Sequence, residues 1–390
     1  MLLPKEFIEY THEIMGEERF GRYLKSFDEL PPVSIRLNPR KTADMTVVKG
    51  QEVPWCRHGY YLEKRPNFTF DPLFHAGCYY VQEAASMFLD EVLQQHLPTD
   101  GRPVAALDLC AAPGGKSTLM LSALPEGSTL CSNEPVRQRA SVLRENIAKW
   151  GYAGCTVANS YPKDIRKTGQ RFDVILCDVP CSGEGMFRKD EATVREWSPQ
   201  NVERCWRLQR DIVTDAWACL NDGGLLVYST CTFNTKENEE NIRWIQEEFD
   251  AEVLPVDTRP EWNVTGSLLD GFTAPVYRFI PGISRGEGLF MCALRKRGHL
   301  RATAPSYPPT SAPSYPRTPL DYPQAMAYLR GEAIVLPANT PRGIVEVTFE
   351  GFTLGQVKNI GTRANNLYPK EWRIKTTHIP TEYEAILRHT

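Results

Sequence analysis

The stretch 104-VAALDLCAAPGGKSTLMLSAL-124 decides the fold. It opens as a short apolar strand, and a helical pattern begins at Gly115. Alanine, proline and glycine fill the tight loop between them, as at the start of a strand–helix–strand unit. Working outward, the same alternation recurs. Strands are expected over 128–134, 155–159, 173–179 and 224–230, and helices over 115–124, 135–151 and 200–220. Pro135 falls in the first turn of its helix and Gly151 at the stop. This rhythm predicts an α/β protein built on a doubly wound parallel sheet. A last apolar run, 288–296, predicts one more strand at the edge.

With 390 residues, the chain is long enough for two or three domains. Its 42% apolar and 24% charged residues suit a soluble globular protein. No apolar run approaches the roughly 18 residues that span a bilayer. The amino terminus, MLLPKEFIEYTHEIMGEERF, carries charges every few residues, which excludes a signal peptide or membrane anchor and makes the cytoplasm the expected location. Eleven cysteines are scattered with no CxxC pair and no Cys/His cluster at zinc spacing, so reduced thiols and no metal are expected. A net charge of -3 argues against gripping nucleic acid with the whole surface.

Residues 1–75 read as a separate α+β unit, a short helix followed by small strands such as 33-VSIRLNPRK-41. Residues 76–298 form the α/β body, joined to that unit through a helix within 77–96. Residues 299–325 are expected to be a proline-rich linker, because 301-RATAPSYPPTSAPSYPRTPLDYP-323 repeats APSYP and has almost no aliphatic side chains to bury. Residues 326–390 form a small tail domain. Within it, 356-QVKNIGTRANNLYPKEWRIK-375 holds five basic residues against one acid. Such a run is ordinarily a solvated face. Interleaved aromatic rings favour RNA, whose phosphates need cations and whose unpaired bases need stacking surfaces. Lys358, Arg363, Tyr368, Lys370, Trp372 and Arg373 are the candidate RNA contacts.

Doubly wound sheets bind ligands beyond the carboxyl ends of their strands. There, Ala111, Ala112, Gly114 and Gly115 let a ligand lie against the backbone, and the helix opening at Gly115 offers free N–H groups. Gly115-Lys116-Ser117 is like the end of a phosphate-binding loop, but Cys110 stands where that motif needs glycine. The dinucleotide pattern GxGxxG is absent. A nucleoside-type cofactor such as S-adenosylmethionine fits better, with Glu134 at the end of the second strand to accept from ribose hydroxyls. Taken alone, the loop also fits a plain tight turn.

Two further strands, in 173-DVILCDVPCSG-183 and 225-LLVYSTCTFN-234, run out into thiols. Buried cysteines are commonly inert, as expected of Cys205 and Cys219 on the long helix. Cys181 and Cys231 instead stand among Pro, Ser, Gly and Thr on strand-end loops facing the cofactor crevice. A thiol beside a methyl donor suits methylation of a pyrimidine. A thiolate adding at C6 pushes electron density onto C5, which attacks the methyl. An acid such as Asp178 stabilises charge developing on the ring. A base then takes the C5 proton so that the thiol can leave. These residues alone do not rank the two thiols.

LDLCAAPGGKST, DVPCSGEGMFRKD and YSTCTFNTKENEENI resemble motifs of the Sun/Nop-type RNA (cytosine-5) methyltransferase family, most nearly its bacterial, RsmF-like ribosomal RNA enzymes. VSIRLNP, 75-HAGCYYVQEAASM-87 and 361-GTRANNLYPKEWRI-374 extend the resemblance over nearly the whole chain. It implies a Rossmann-like methyltransferase sheet, an N-terminal RNA-binding-type domain and a β-rich PUA-like RNA-binding tail. It implies Cys231 as nucleophile, Cys181 as the thiol that aids product release, and Asp178 as a contact to the target cytosine that borders the methyl donor. The loop of Cys110, Ala111, Ala112, Pro113, Gly114, Gly115 and Lys116 would wrap S-adenosylmethionine, with Glu134 on its ribose. Lys116 would orient the base or tune a thiol. Tyr161 stands where many members place an acid against the adenine, leaving Asn159 or the Ser160 backbone as substitutes. A monomer is expected, and the implied partner is RNA, small-subunit ribosomal RNA above all, with no membrane. A transfer-RNA enzyme of the same chemistry and a non-catalytic ribosome-assembly factor are the alternatives.

Overall fold

The computed structural model describes residues 3–298, 314–376 and 378–390. The 104–124 run forms β1 (Ala105–Asp108) and α1 (Gly115–Ala123). The body continues with β2 (Thr129–Asn133), α2 (Arg137–Trp150), β3 (Cys155–Ala158), α3 (Pro162–Lys167) and β4 (Phe172–Asp178). Then follow α4 (Pro199–Cys219), β5 (Leu220–Thr230), α5 (Glu239–Phe249), β6 (Glu252–Leu254), β7 (Tyr277–Phe279) and β8 (Leu289–Arg295). The order is β6-β8-β5-β4-β1-β2-β3, with β7 also paired to β8. β1 to β5 are parallel, as expected of a doubly wound sheet, and β8 runs antiparallel to β5. Alternate residues feed opposite layers: Val174 and Leu176 pack on one face of the sheet, Ile175 and Cys177 on the other.

Several expectations need correction. β8 is not an edge strand, because β6 and β7 cover its outer side. Each has three residues, too short for periodicity to reveal. β4 lies between β5 and β1. Pro135 precedes α2, since Glu134 Oε1 accepts the Val136 N–H at 2.9 Å and holds Val136 extended. The N-terminal helix is long, Lys5–Lys25, with a break at Gly16. Strand Tyr79–Val81 pairs with Val33–Leu37 in the N-terminal sheet, so that unit runs beyond residue 75. The helix expected within 77–96 is Leu89–His96. Residues 299–313 of the expected linker lie outside the described residues. Its last part is folded: Arg317–Pro319 is a strand and Tyr322–Leu329 a helix, started by a capping box of Asp321 and Gln324.

The VSIRLNPRK run locks the N-terminal unit onto the body. The buried Arg36 guanidinium donates to Gln82 Oε1, the Gly115 carbonyl and Thr118 Oγ1, and lies over the Trp150 ring. Asn38 Nδ2 donates to the carbonyls of Gly77 and Trp150 at 3.0 and 2.9 Å. Lys41 Nζ donates to the carbonyls of Ala76 and Lys149. Asn38 and Lys41 thus satisfy the last carbonyls of α2, where positive charge is also favoured by the helix dipole. Gly77, at φ +68°, fits because a Cβ there would stand 2.0 Å from the Lys149 carbonyl oxygen.

The tail forms a sheet of Arg317–Pro319, Gly343–Phe349, Phe352–Asn359 and Ala364–Asn366. It packs on the N-terminal unit: Ile35, Leu37 and Tyr79 share one apolar cluster with Met326, Leu329, Val345 and Val357. Strand Leu387–His389 pairs with Met45–Val47. Among the described residues no helix is long and apolar enough to cross a membrane. Asn38→Ala strips two buried carbonyls of their donor. It is expected to lower stability by about 2 kcal/mol, read as a drop in urea midpoint; an unchanged midpoint would contradict the lock.

Candidate active site

The parallel pairing of β4 with β5 sets the site. Ser229 lies opposite Asp178, and the Val179 N–H donates to the Ser229 carbonyl at 3.0 Å. Both chains therefore leave the sheet side by side. Cys181 Sγ stands 3.2 Å from Cys231 Sγ, and both residues are half-buried. The thiols predicted to converge do so. Contact with the Cys231 sulfur, then burial, holds the Cys181 thiol well above its ordinary pKa. Cys181 therefore holds its proton tightly, and either sulfur can donate across the contact.

Lys116 Nζ donates to Asp178 Oδ2 at 2.8 Å. Burial works against the ammonium, but the charges of Asp178 and Cys231 outweigh it, and the net shift is upward. Lys116 is thus a fixed cation beside the acid and the sulfur, not a base. Burial above all pushes the thiol of Cys110, at the start of the same loop, upward.

The loop 110–116 is pinned on both sides. The Ala111 N–H donates to the Asn133 carbonyl at 2.8 Å, and Arg139 Nη2 donates to the Ala112 carbonyl at 2.9 Å. Asn146 Nδ2 holds the Pro113 carbonyl at 2.8 Å. Gly114, at φ +117°, begins α1 in a conformation that disfavours other residues. Glu134 lies at the tip of β2, where Arg139 Nη1 approaches its Oε2 at 3.2 Å.

Sequence reasoning passed over Asp108. It ends β1 just before the loop, and Ser117 Oγ donates to its Oδ2 at 2.6 Å. Its Oδ1 is buried with no protein partner. Burial pushes the carboxyl up to about 7. The available signal was an acid at the carboxyl end of the first strand.

The expected adenine substitutes are otherwise engaged. The Ser160 N–H donates to Asn133 Oδ1 at 3.0 Å. Asn159 Nδ2 donates to the carbonyls of Glu134 and Pro135 at 2.7 and 2.9 Å. Asn159 thus serves neighbouring backbone and the Ser160 N–H a side chain of β2, while Tyr161 is exposed.

The expected RNA patch divides. Lys358, Arg363 and Lys370 are exposed. Tyr368 is buried at 4% exposure against Tyr328, so it offers no stacking surface. Trp372 is half-buried, edge-on to Tyr368, with Lys149 of α2 over its ring. Arg373, also half-buried, packs against Gly331. The aromatics were interleaved because they anchor the tail. Two cavities lie away from this patch. One of about 420 Å³ opens on Cys181 and is lined by Thr193, Asn201 and Arg204. Another, of about 1030 Å³, lies between the N-terminal unit and Arg188-Lys189 and reaches neither thiol.

A parallel sheet closed by one antiparallel strand, with a glycine loop after β1 and an acid after β2, defines a Rossmann-like methyltransferase fold. The chain belongs to the 16S rRNA methyltransferase RsmB/F family, whose model matches residues 97–295. Models of the N-terminal domain of 16S rRNA methyltransferase RsmF and of the methyltransferase RsmF PUA domain match residues 3–84 and 315–374. Proteins named Ribosomal RNA small subunit methyltransferase F are similar: one from Pectobacterium atrosepticum is 32% identical over 80% of this chain and 65% of its own length. One from Salmonella agona is 35% identical over 81% and 68%. The chain thus spans about two thirds of these relatives. A methyltransferase homolog from Pyrococcus horikoshii has a TM-score of 0.63 at 26% identity, over 75% of this chain and 95% of its own. NSun6 from the same organism, solved with SFG, shares the fold, with a TM-score of 0.62 at 20% identity over 76% and 99%.

At about pH 8, near the ordinary thiol pKa, a small alkylating agent is expected to label Cys231 several-fold faster than Cys181, read by peptide mass mapping. Preferential labelling of Cys181 would contradict the raised pKa of its thiol. In Cys231→Ala, which removes the main cause of its raised pKa, Cys181 is expected to react faster.

Proposed function

We propose that the protein methylates C5 of a cytosine in RNA through a covalent Cys231–C6 adduct, and that this RNA is small-subunit ribosomal RNA. The observation that carries the proposal is the 3.2 Å contact of two strand-end sulfurs beside the Lys116–Asp178 pair. Family membership and the names of the relatives support the substrate class.

The loop fits S-adenosylmethionine. The unpartnered buried oxygen of Asp108 offers an acceptor for its ammonium, and the first N–H groups of α1 face the crevice. Residues 110–116 and Glu134 would hold it, and when bound it supplies an electrophilic methyl. The chain's own residues do the rest. Cys231 adds as thiolate to C6, which makes C5 nucleophilic toward the methyl. Asp178 orients the ring, and the Lys116 cation offsets negative charge there. Once Cys231 is bonded to carbon its sulfur no longer holds the Cys181 proton in place. Cys181 then ionises, takes the proton from methylated C5, and the C6–S bond breaks to return the Cys231 thiolate. One proton leaves to solvent overall.

The N-terminal unit and the tail would hold the RNA, with exposed Lys358, Arg363 and Lys370 against phosphates. The target base must leave its stack to reach the sulfurs. Purified protein is expected to move labelled methyl to C5 of cytosine in small-subunit RNA. Cys231→Ala should reduce transfer by about 10³-fold or more. Cys181→Ala should accumulate a protein–RNA adduct that survives denaturation. An adduct in Cys231→Ala alone would exchange the two roles. Transfer to transfer RNA only would overturn the substrate, and a cellular role intact without either thiol would overturn catalysis as the function.

A further inference from the structure

The two thiol loops are held together by a pair of buried carboxylates that cross between them. Glu184, on the Cys181 loop, accepts through Oε2 from the N–H groups of Phe233 and Asn234 on the Cys231 loop, at 2.7 and 2.9 Å. Glu237, beyond Cys231, accepts through Oε2 from the N–H of Ser182, next to Cys181, at 3.0 Å. Each loop thus supplies a carboxylate to the other's backbone. Asn234 Nδ2 lies 3.0 Å from Glu184 Oε1 and 2.7 Å from Glu237 Oε1, joining the two. The hydroxyls of Ser182 and Thr232 meet at 2.8 Å, and the Gly185 N–H donates to the Cys231 carbonyl at 2.8 Å. Outside the loops, Trp197 Nε1 donates to Glu184 and Gln209 Nε2 to Glu237.

Both carboxylates are almost fully buried, at 1% and 0% exposure, and among the described residues no Lys or Arg forms an ion pair with either. Two uncompensated acids side by side in a protein interior are costly. Burial, then the charge of Glu184, raises Glu237 to about 7. A structural network needs no second charge here, since an amide accepts the same backbone bonds one at a time. A carboxylate is needed where several donors from two separate loops converge and each oxygen must accept.

We propose that Glu184 and Glu237 are positioning residues that clasp the two loops and so keep the sulfurs of Cys181 and Cys231 in contact. The clasp deepens the proposed function, which needs one sulfur to act while the other leaves, but it is testable without RNA. In Glu184→Gln and Glu237→Gln, one acceptor oxygen becomes an amide donor facing other donors, at nearly unchanged volume.

The experiment uses the full-length protein and a short reagent that bridges two thiols, with single alkylation of Cys231 measured in parallel. Either variant is expected to lower the bridging rate about tenfold or more while single alkylation stays within about twofold. With RNA, the adduct should form at a near-native rate but decay slowly, which a merely structural defect would not separate. Thr232→Val, a milder change within the clasp, should reduce bridging by a smaller factor, and it carries the test if the glutamine variants do not fold. Native bridging rates in the folded variants would overturn the clasp. Loss of bridging with no methyl transfer by the wild-type protein would uphold the clasp and overturn the proposed function instead.

Discussion

Two sulfurs in contact is the constraint on which the rest of the site depends. It needs two adjacent parallel strands in register, so that their ends point the same way at the same height. β4 and β5 meet that condition through the pairing of Ser229 with Asp178. A cysteine three residues past Asp178 and another directly after β5 then meet above the sheet. The pair is asymmetric: contact with Cys231 raises the Cys181 thiol, and the Lys116 ammonium is favoured by the charge of Cys231.

Around that pair the structure is unusually polar for a protein interior. Behind the clasp, Glu239 and Arg278 form a bidentate ion pair with both residues fully buried, and Arg278 Nη2 also donates to the Phe233 carbonyl. Removing one partner of such a pair costs about 3–5 kcal/mol, because the other charge is left buried. The Cys231 loop is thus held from three directions: by Glu184, by Arg278, and by Tyr10 of the N-terminal helix, whose hydroxyl accepts from the Thr235 N–H at 3.0 Å. The N-terminal unit contributes to the catalytic face as well as to the seam with α2.

Much of this was legible in the sequence. Apolar runs ending in small residues gave the sheet, and thiols in loops of Pro, Ser, Gly and Thr marked the site. What stayed hidden depended on burial. The run 237-ENEEN-241 has the composition of a solvated helix start, yet Glu237 and Glu239 are buried and bonded. Tyr368 and Trp372 sit among cations in sequence but turn inward, because the tail needs rings to fill its core against Tyr328. The SIRLNP motif carried its resemblance without a reason; the helix end it satisfies lies more than a hundred residues away. Most of these contacts join residues distant along the chain, which local patterns do not record.

The most direct test of the sulfur pair uses RNA carrying 5-fluorocytosine at the target. Fluorine in place of the C5 hydrogen prevents the final elimination, so the nucleophilic sulfur stays bonded to C6. Peptide mapping of the trapped complex should find the methylated nucleotide on Cys231, with Cys181 still a free thiol. A nucleotide attached to Cys181, or no trapped complex despite full methyl transfer to ordinary cytosine, would contradict the account.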